Sequence, residues 1–81
     1  MAEIIAVLSG GSRDGESTVL DAAVDRLYAA SDAPGLLDVY EATNETRHLA
    51  GNTEPATVFV FGGQVTAEGI APEAIHMPLG H

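Results

Sequence analysis

The feature that most constrains the fold is a run of apolar, strand-forming residues, Thr57-Val58-Phe59-Val60-Phe61. Its β-branched and aromatic side chains favour a strand, and both alternating faces of that strand are apolar. A strand that is apolar on both faces belongs inside a sheet, with a neighbouring strand on each side. This segment therefore predicts a central strand, which the Gly62-Gly63 pair is expected to end.

Three further segments are interpreted as strands of the same small sheet. Ile4–Leu8 is a short β-branched run that predicts a buried strand, and Leu36–Ala42 alternates in the manner of a second strand. After turn-forming residues at 43–45, Thr46–Ala50 is expected to return as the other arm of a hairpin. Together with the central strand, these segments predict a sheet of three or four strands.

Residues 18–30 carry the spacing of an amphipathic helix. Leu20, Val24 and Leu27 recur at intervals of four and three residues, and alanines fill the same side. A threonine three residues before Asp21 completes the arrangement of a capping box, which favours the start of a helix. This segment therefore predicts the one helix of the fold.

The predicted fold class is α/β, with one helix packed on a three- to four-stranded mixed sheet. The alternative is an all-β meander in which Ser17–Asp21 forms a strand. The chain of 81 residues predicts a single domain, residues 1–81. Its last part, residues 63–81, is expected to pack on the sheet or to serve as a docking tail, with Pro72 opening a short helix.

A glycine-rich loop follows the first predicted strand and is the main candidate ligand site. Backbone amides and a helix N-terminus at such a position attract anions, which points to phosphate or nucleotide binding. The loop lacks the Lys-Ser/Thr ending of a P-loop, and its glycines miss the dinucleotide spacing. A purely structural turn is the alternative. The candidate ligand-binding residues are Gly10, Gly11, Ser12, Arg13 and Gly15.

Catalytic and metal-binding patterns are missing from the sequence. There is no cysteine, and none of the three histidines, His48, His76 and His81, has a metal-ligand partner two to four residues after it. No Gly-x-Ser-x-Gly nucleophile elbow is present. The expectation is a protein that is not an enzyme and that uses neither a metal nor a cofactor.

Charge limits the class of partner. Twelve carboxylates stand against three arginines and no lysine, so the chain repels nucleic acid and anionic membranes. On one side of the predicted helix and its extension, Asp21, Asp25 and Asp32 would form an acidic row that could occupy a basic groove of another protein. The alternative is an ordinary solvated face. No apolar run is long enough to span a membrane, and there is no basic signal-peptide start, so cytoplasmic residence is expected.

Three classes of function follow from these expectations. Large apolar side chains are numerous for a chain of this size, which favours self-association and the role of an assembly or structural component. The second class is an acidic inhibitor that occupies the basic groove of a host protein. The third is an oligomeric protein that binds or sequesters a nucleotide at the glycine loop. All three act without catalysis.

The stretch Leu8-Ser9-Gly10-Gly11-Ser12-Arg13-Asp14-Gly15-Glu16 resembles a turn of small actinobacterial and actinophage proteins that carry Gly-Gly-Pro-x-Asp-Gly. In that group a tyrosine-bearing strand and an aromatic-alternating strand follow, places that Tyr40 and residues 58–61 would fill. Ser12 stands where the group has proline. The resemblance implies a viral or accessory origin, and it assigns no chemistry to any residue.

Overall fold

The structure is a computed structural model that describes residues 2–77. This part of the chain forms five strands and one short 3-10 helix: β1 (Glu3–Ser9), β2 (Ser17–Asp21), β3 (Arg26–Ala30), β4 (Leu36–Arg47), β5 (Ala56–Thr66) and the helical turn Pro72–Ala74. Among these residues, no helix has the length and apolar character needed to cross a membrane.

All five strands belong to one mixed sheet in the order β2-β1-β5-β4-β3. The pair β1 and β5 is parallel, and the other neighbouring pairs are antiparallel. The apolar run at residues 57–61 lies in β5, at the centre of the sheet as expected. The Gly62-Gly63 pair does not end this strand, because the ladder with β4 continues to Thr66 after a register shift opposite Val39 and Tyr40.

The predicted helix over residues 18–30 is wrong, and with it the one-helix α/β fold class; the all-β alternative fits. Residues 17–21 form β2 and residues 26–30 form β3. Leu27 and Ala29 are buried while their neighbours are not, which is the period of a strand. Between the strands, the Asp21 side chain accepts a hydrogen bond from the Ala23 amide at 2.9 Å. The supposed helix cap therefore stabilises a turn.

The predicted hairpin within residues 36–50 is also wrong. Strand β4 runs from Leu36 to Arg47 without reversing, and its antiparallel partner is β5. Residues 43–45 form an irregular stretch of β4 at which the register shifts. The Thr43 hydroxyl there donates to the Val58 carbonyl at 2.7 Å, which ties the irregular stretch to the central strand.

The sheet is curled, because its two outer strands are joined by a short link. Strands β2 and β3 lie at opposite edges, yet only residues 22–25 connect them. A flat sheet of five strands is about 19 Å wide, and a link this short reaches at most about 18 Å when fully extended. Leu20 and Leu27, one from each outer strand, pack in the same buried cluster. The concave face is therefore the interior of the molecule.

The two faces of the sheet differ in how well they are covered. The concave face holds the main core: Ala6, Leu8, Leu20, Leu27, Ala29, Tyr40 and Phe59. On the convex face a smaller cluster of Val7, Ala56 and Val58 is flanked by Ile5 and Leu49. The strand pairing places Val19, Val60 and Val65 on this same convex face, and all three are exposed. The convex face therefore carries exposed apolar side chains beside charged ones such as Glu3 and Glu41, and it is only partly covered.

The last described segment lies against the free edge of β3. The Ala30 amide donates to the Met77 carbonyl at 2.8 Å, and the His76 amide donates to the Tyr28 carbonyl at 2.8 Å. Met77 also packs against the main core. Of the expected docking tail at 63–81, residues 63–66 continue β5 and residues 76–77 extend the sheet; residues 78–81 lie outside the described residues. The docking role itself stays a prediction.

Candidate functional site

The predicted ligand loop connects β1 to β2 and folds over the end of the sheet. Gly10, Gly11 and Gly15 have positive φ angles of 87°, 70° and 87°, a conformation that favours glycine. Gly11 also passes so close to the strands beneath that a Cβ there would lie 2.6 Å from both the Tyr40 hydroxyl and the Phe61 ring. The glycines therefore let the loop seat tightly on β4 and β5.

Backbone amides of this loop already have acceptors within the protein. A phosphate-binding loop instead directs several free amides toward the anion. The donors and their acceptors are Gly10 to Asp14 Oδ1 (2.6 Å), Ser12 to Asp38 Oδ2 (2.8 Å), Arg13 to the Tyr40 hydroxyl (3.1 Å) and Gly15 to the Leu8 carbonyl (2.8 Å). An anion would have to displace these partners and would meet the Asp38 carboxylate.

The Arg13 side chain, the positive charge of the loop, is also engaged. Its Nε donates to the Ala30 carbonyl at 3.0 Å, and one terminal nitrogen donates to the Met77 carbonyl at 3.3 Å. The other terminal nitrogen pairs with Glu16 at 3.1 Å. Arg13 therefore joins the loop to β3 and to the last described segment. Ligand binding at Gly10, Gly11, Ser12, Arg13 and Gly15 stays a prediction without a supporting contact.

Beneath the loop lies a polar cluster that the sequence analysis missed. Asp38 and Tyr40 are fully buried on β4. The side-chain amide of Gln64 donates to Asp38 Oδ1 and to the Ser31 hydroxyl, both at 2.9 Å. The Tyr40 hydroxyl donates to the Gly10 carbonyl at 2.8 Å. Each buried polar group thus has a partner, and no buried side-chain nitrogen or oxygen in residues 2–77 is unsatisfied.

Hydrogen bonding keeps this cluster in a defined ionisation state. Burial raises the pKa of Asp38, but hydrogen bonds from Gln64, from the Ser12 amide and from neighbouring hydroxyls outweigh it and lower the pKa overall. Burial raises the pKa of Tyr40, and the adjacent Asp38 carboxylate adds to this effect. An ionised Asp38 beside a neutral Tyr40 anchors the loop to the sheet. The contacts of the two side chains within residues 2–77 are those of a structural cluster.

The predicted acidic row does not exist as a row, because its helix is absent. Asp21 ends β2, Asp25 precedes β3, and Asp32 follows β3 at the opposite end of that strand. A five-residue strand separates Asp25 from Asp32 by roughly 20 Å. All three carboxylates are exposed. A role for each of them in binding a partner stays a prediction, but they cannot act as one continuous stripe.

A different acidic site lies on the convex face, where β1 and β2 meet the loop before β5. It is a cleft of about 320 Å³ lined by Glu3, Ile4, Ile5, Val19, Asn52, Thr53 and Glu54. Strand alternation places Ile5 and Val19 side by side on its floor, with Glu3 and Glu54 at its rim. We call this site the convex cleft. It combines an apolar floor with two carboxylates.

The charges around the convex cleft are not balanced by the chain itself. Glu3 faces Asp21 directly across the β1–β2 ladder, and such like-charged cross-strand pairs are destabilising. The ion pairs within residues 2–77 join Arg13 to Glu16 and Arg26 to Glu41, away from the cleft. No group of three histidine or acidic residues in that range is arranged to hold a metal ion. The cleft thus presents negative charge to solvent.

Comparisons with protein families, with curated proteins and with solved structures found no match to this chain. The function is therefore inferred from the geometry of two regions, the internally bonded glycine loop and the open convex face.

Proposed function

We propose that this chain is a non-enzymatic accessory protein that acts through protein–protein contacts as an assembly or structural component. The observation that supports this proposal is the convex face, on which Val19 is 58% exposed, Val60 40% and Val65 38%. Exposed apolar side chains that share one face of a sheet favour contact with another protein surface. As a phage-encoded protein it would act in the host cytoplasm or in the virion.

The internal contacts of the glycine loop support the same proposal. Its amides, Arg13 and the Asp38–Tyr40 cluster bond to one another, so they stabilise the fold and leave the convex face as the more open surface. A second candidate, the acidic protein that binds a basic partner, is favoured by the convex cleft. Nucleotide sequestration has no comparable contact in its favour.

Self-assembly is tested by measuring molar mass with light scattering across a range of concentrations. We expect a mass above that of one chain, and a return to one chain in the Val60→Ser/Val65→Ser double variant. Ala71→Ser, at an exposed site before the helical turn and outside the strands that carry these valines, is the control and should leave the mass unchanged. High salt should preserve association, because it screens repulsion between chains of net charge −9.

A single-chain mass at every concentration would overturn the assembly role. The basic-partner candidate would then be the remaining form of the proposal, and it is tested separately through the convex cleft. A single-chain mass together with no saturable binding of a basic peptide would overturn action through protein–protein contacts altogether.

A further inference from the structure

We propose that the free edge of β2, together with the convex cleft, is a docking site for an extended basic segment of another protein, which pairs with β2 as an added strand. This inference rests on the proposed function in needing a protein partner. It goes beyond it by naming the site, the mode of pairing and the chemistry of the partner.

The backbone of β2 supplies the first argument. The Leu8 amide donates to the Glu16 carbonyl at 2.8 Å, and the Ala22 amide donates to the Ala2 carbonyl at 3.0 Å. In an antiparallel ladder the bonded pairs alternate, so Thr18 and Leu20 face β1 with their backbone groups. Ser17 and Val19 therefore direct their amides and carbonyls away from the sheet.

These outward groups are open to a partner strand. Within residues 2–77, the amides and carbonyls of Ser17 and Val19 make no hydrogen bond outside the sheet ladder. The opposite edge of the sheet is different, because His76 and Met77 lie along β3 and bond to it. An unpaired edge strand is a ready template for main-chain hydrogen bonds from an extended peptide. Strand β2 is thus the more open edge.

Side chains next to this edge indicate what the added strand carries. Among residues 2–77, Val19 is the most exposed of the large apolar side chains, and it borders Ile5 on the floor of the convex cleft. A lysine or arginine on the added strand would cover Val19 with its aliphatic stem. Its charged end would then reach the carboxylates of Glu3 and Asp21, which face one another without a cation.

Charge also excludes a second copy of this chain as the occupant. The chain has three arginines and no lysine. Arg13 and Arg26 already form ion pairs, and Arg47 lies at the end of β4, inside an existing ladder. A segment that brings several basic side chains to the convex cleft must therefore come from another protein. The occupant that fits is a strand in which lysine or arginine alternates with apolar residues.

The test is calorimetric titration of the full chain with a capped lysine–valine alternating peptide of about eight residues, a typical strand length. A glutamate–valine peptide of equal length is the control probe. We expect saturable one-to-one binding of the basic peptide, weaker in high salt, and no binding of the acidic one. Amide NMR signals of Ser17 and Val19 should shift on binding.

Two double variants of equal charge distinguish binding at this site from a general attraction of the basic peptide to an acidic chain. Glu3→Gln/Asp21→Asn should weaken binding about tenfold, because each of these two positions then loses its ion pair with the peptide. Glu68→Gln/Glu73→Gln removes the same charge from exposed positions outside the cleft, and should change affinity by about twofold or less. Equal weakening by the two pairs would overturn the proposal, as would the absence of saturable binding.

Val19→Pro tests the added strand itself. The Val19 amide points away from β1, so proline removes a donor at the edge without removing a ladder hydrogen bond. Binding should be lost while the circular dichroism spectrum stays that of the wild type. Full affinity in a folded Val19→Pro variant would overturn strand addition. If the variant does not fold, the charge pairs still decide the proposal. Self-association, measured by mass, is a separate readout and does not depend on this peptide.

Discussion

Substitution of Gly11 by alanine tests how tightly the glycine loop is seated on the sheet. The residue has a φ angle of 70°, which costs an alanine about 1–2 kcal/mol. The new Cβ would lie 2.6 Å from the Tyr40 hydroxyl and 2.6 Å from the Phe61 ring. Overpacking of this kind typically costs about 1–3 kcal/mol. We therefore expect Gly11→Ala to lower the free energy of unfolding by about 2–5 kcal/mol.

The same loop contains a matched control for this substitution. Gly15 has a φ angle of 87°, but a Cβ there would meet nothing within 4 Å. Gly15→Ala should therefore show only the backbone cost, about 1–2 kcal/mol. The difference between the two variants isolates the close approach to Tyr40 and Phe61.

Urea denaturation followed by circular dichroism measures both losses. A domain of this size is stable by about 4–12 kcal/mol, so Gly11→Ala should remove a large share of its stability. In thermal denaturation each kcal/mol corresponds to a shift of about 4–8 °C. If Gly11→Ala costs no more than Gly15→Ala, the loop does not rest on the Tyr40 hydroxyl, and the anchoring role of the polar cluster fails with it.

Three further predictions concern the residues that hold the loop. Tyr40→Phe removes the donor to the Gly10 carbonyl and the acceptor for the Arg13 amide, and should cost about 1–3 kcal/mol in urea denaturation. Arg13→Lys cannot keep the forked bonds to the Ala30 carbonyl and to the last described segment, so hydrogen exchange of the Ala30 amide should accelerate. The pKa of Asp38 is lower in the folded state than in the unfolded state. The ionised carboxylate therefore stabilises the fold above the unfolded-state pKa, and this stabilisation is lost as the pH falls through the folded-state pKa. Asp38→Asn should flatten the loss of stability below about pH 5. An unchanged exchange rate in Arg13→Lys, or an unchanged acid slope in Asp38→Asn, would contradict the corresponding contact.

Local sequence patterns were sufficient to predict the strands whose residue types strongly favour extended structure. The β-branched run at residues 4–8 and the apolar run at 57–61 form adjacent strands, because their composition favours strands wherever they are buried. The helix predicted for residues 18–30 was wrong because the pattern of these residues is ambiguous. Leu20 and Leu27 are seven residues apart, which suits one face of a helix and equally suits two strands joined by a turn. Pairing of β3 with β4 decides between these structures, and that contact is tertiary.

The functional features were harder to predict, because each one joins distant parts of the chain. Asp38 stands in a predicted strand, but the Ser12 amide that it binds lies 26 residues earlier. An aspartate between Leu37 and Val39 was the available signal, since a carboxylate in an apolar strand needs a partner. The convex cleft likewise combines Glu3, Val19 and Glu54 from three separate segments. No local pattern relates them.

The parallel pairing of β1 with β5 joins two parts of the sheet that are distant in sequence. Strands β1 and β2 form a local hairpin, and β3, β4 and β5 form a second antiparallel unit. Ala6 pairs with Thr57, about fifty residues away, so the ladder that joins the two units closes a long loop. A ribosome must release most of β5 before the N-terminal hairpin has its neighbour. Until then, the inner edge of β1 is an open template, and we expect the long loop that this pairing closes to slow folding.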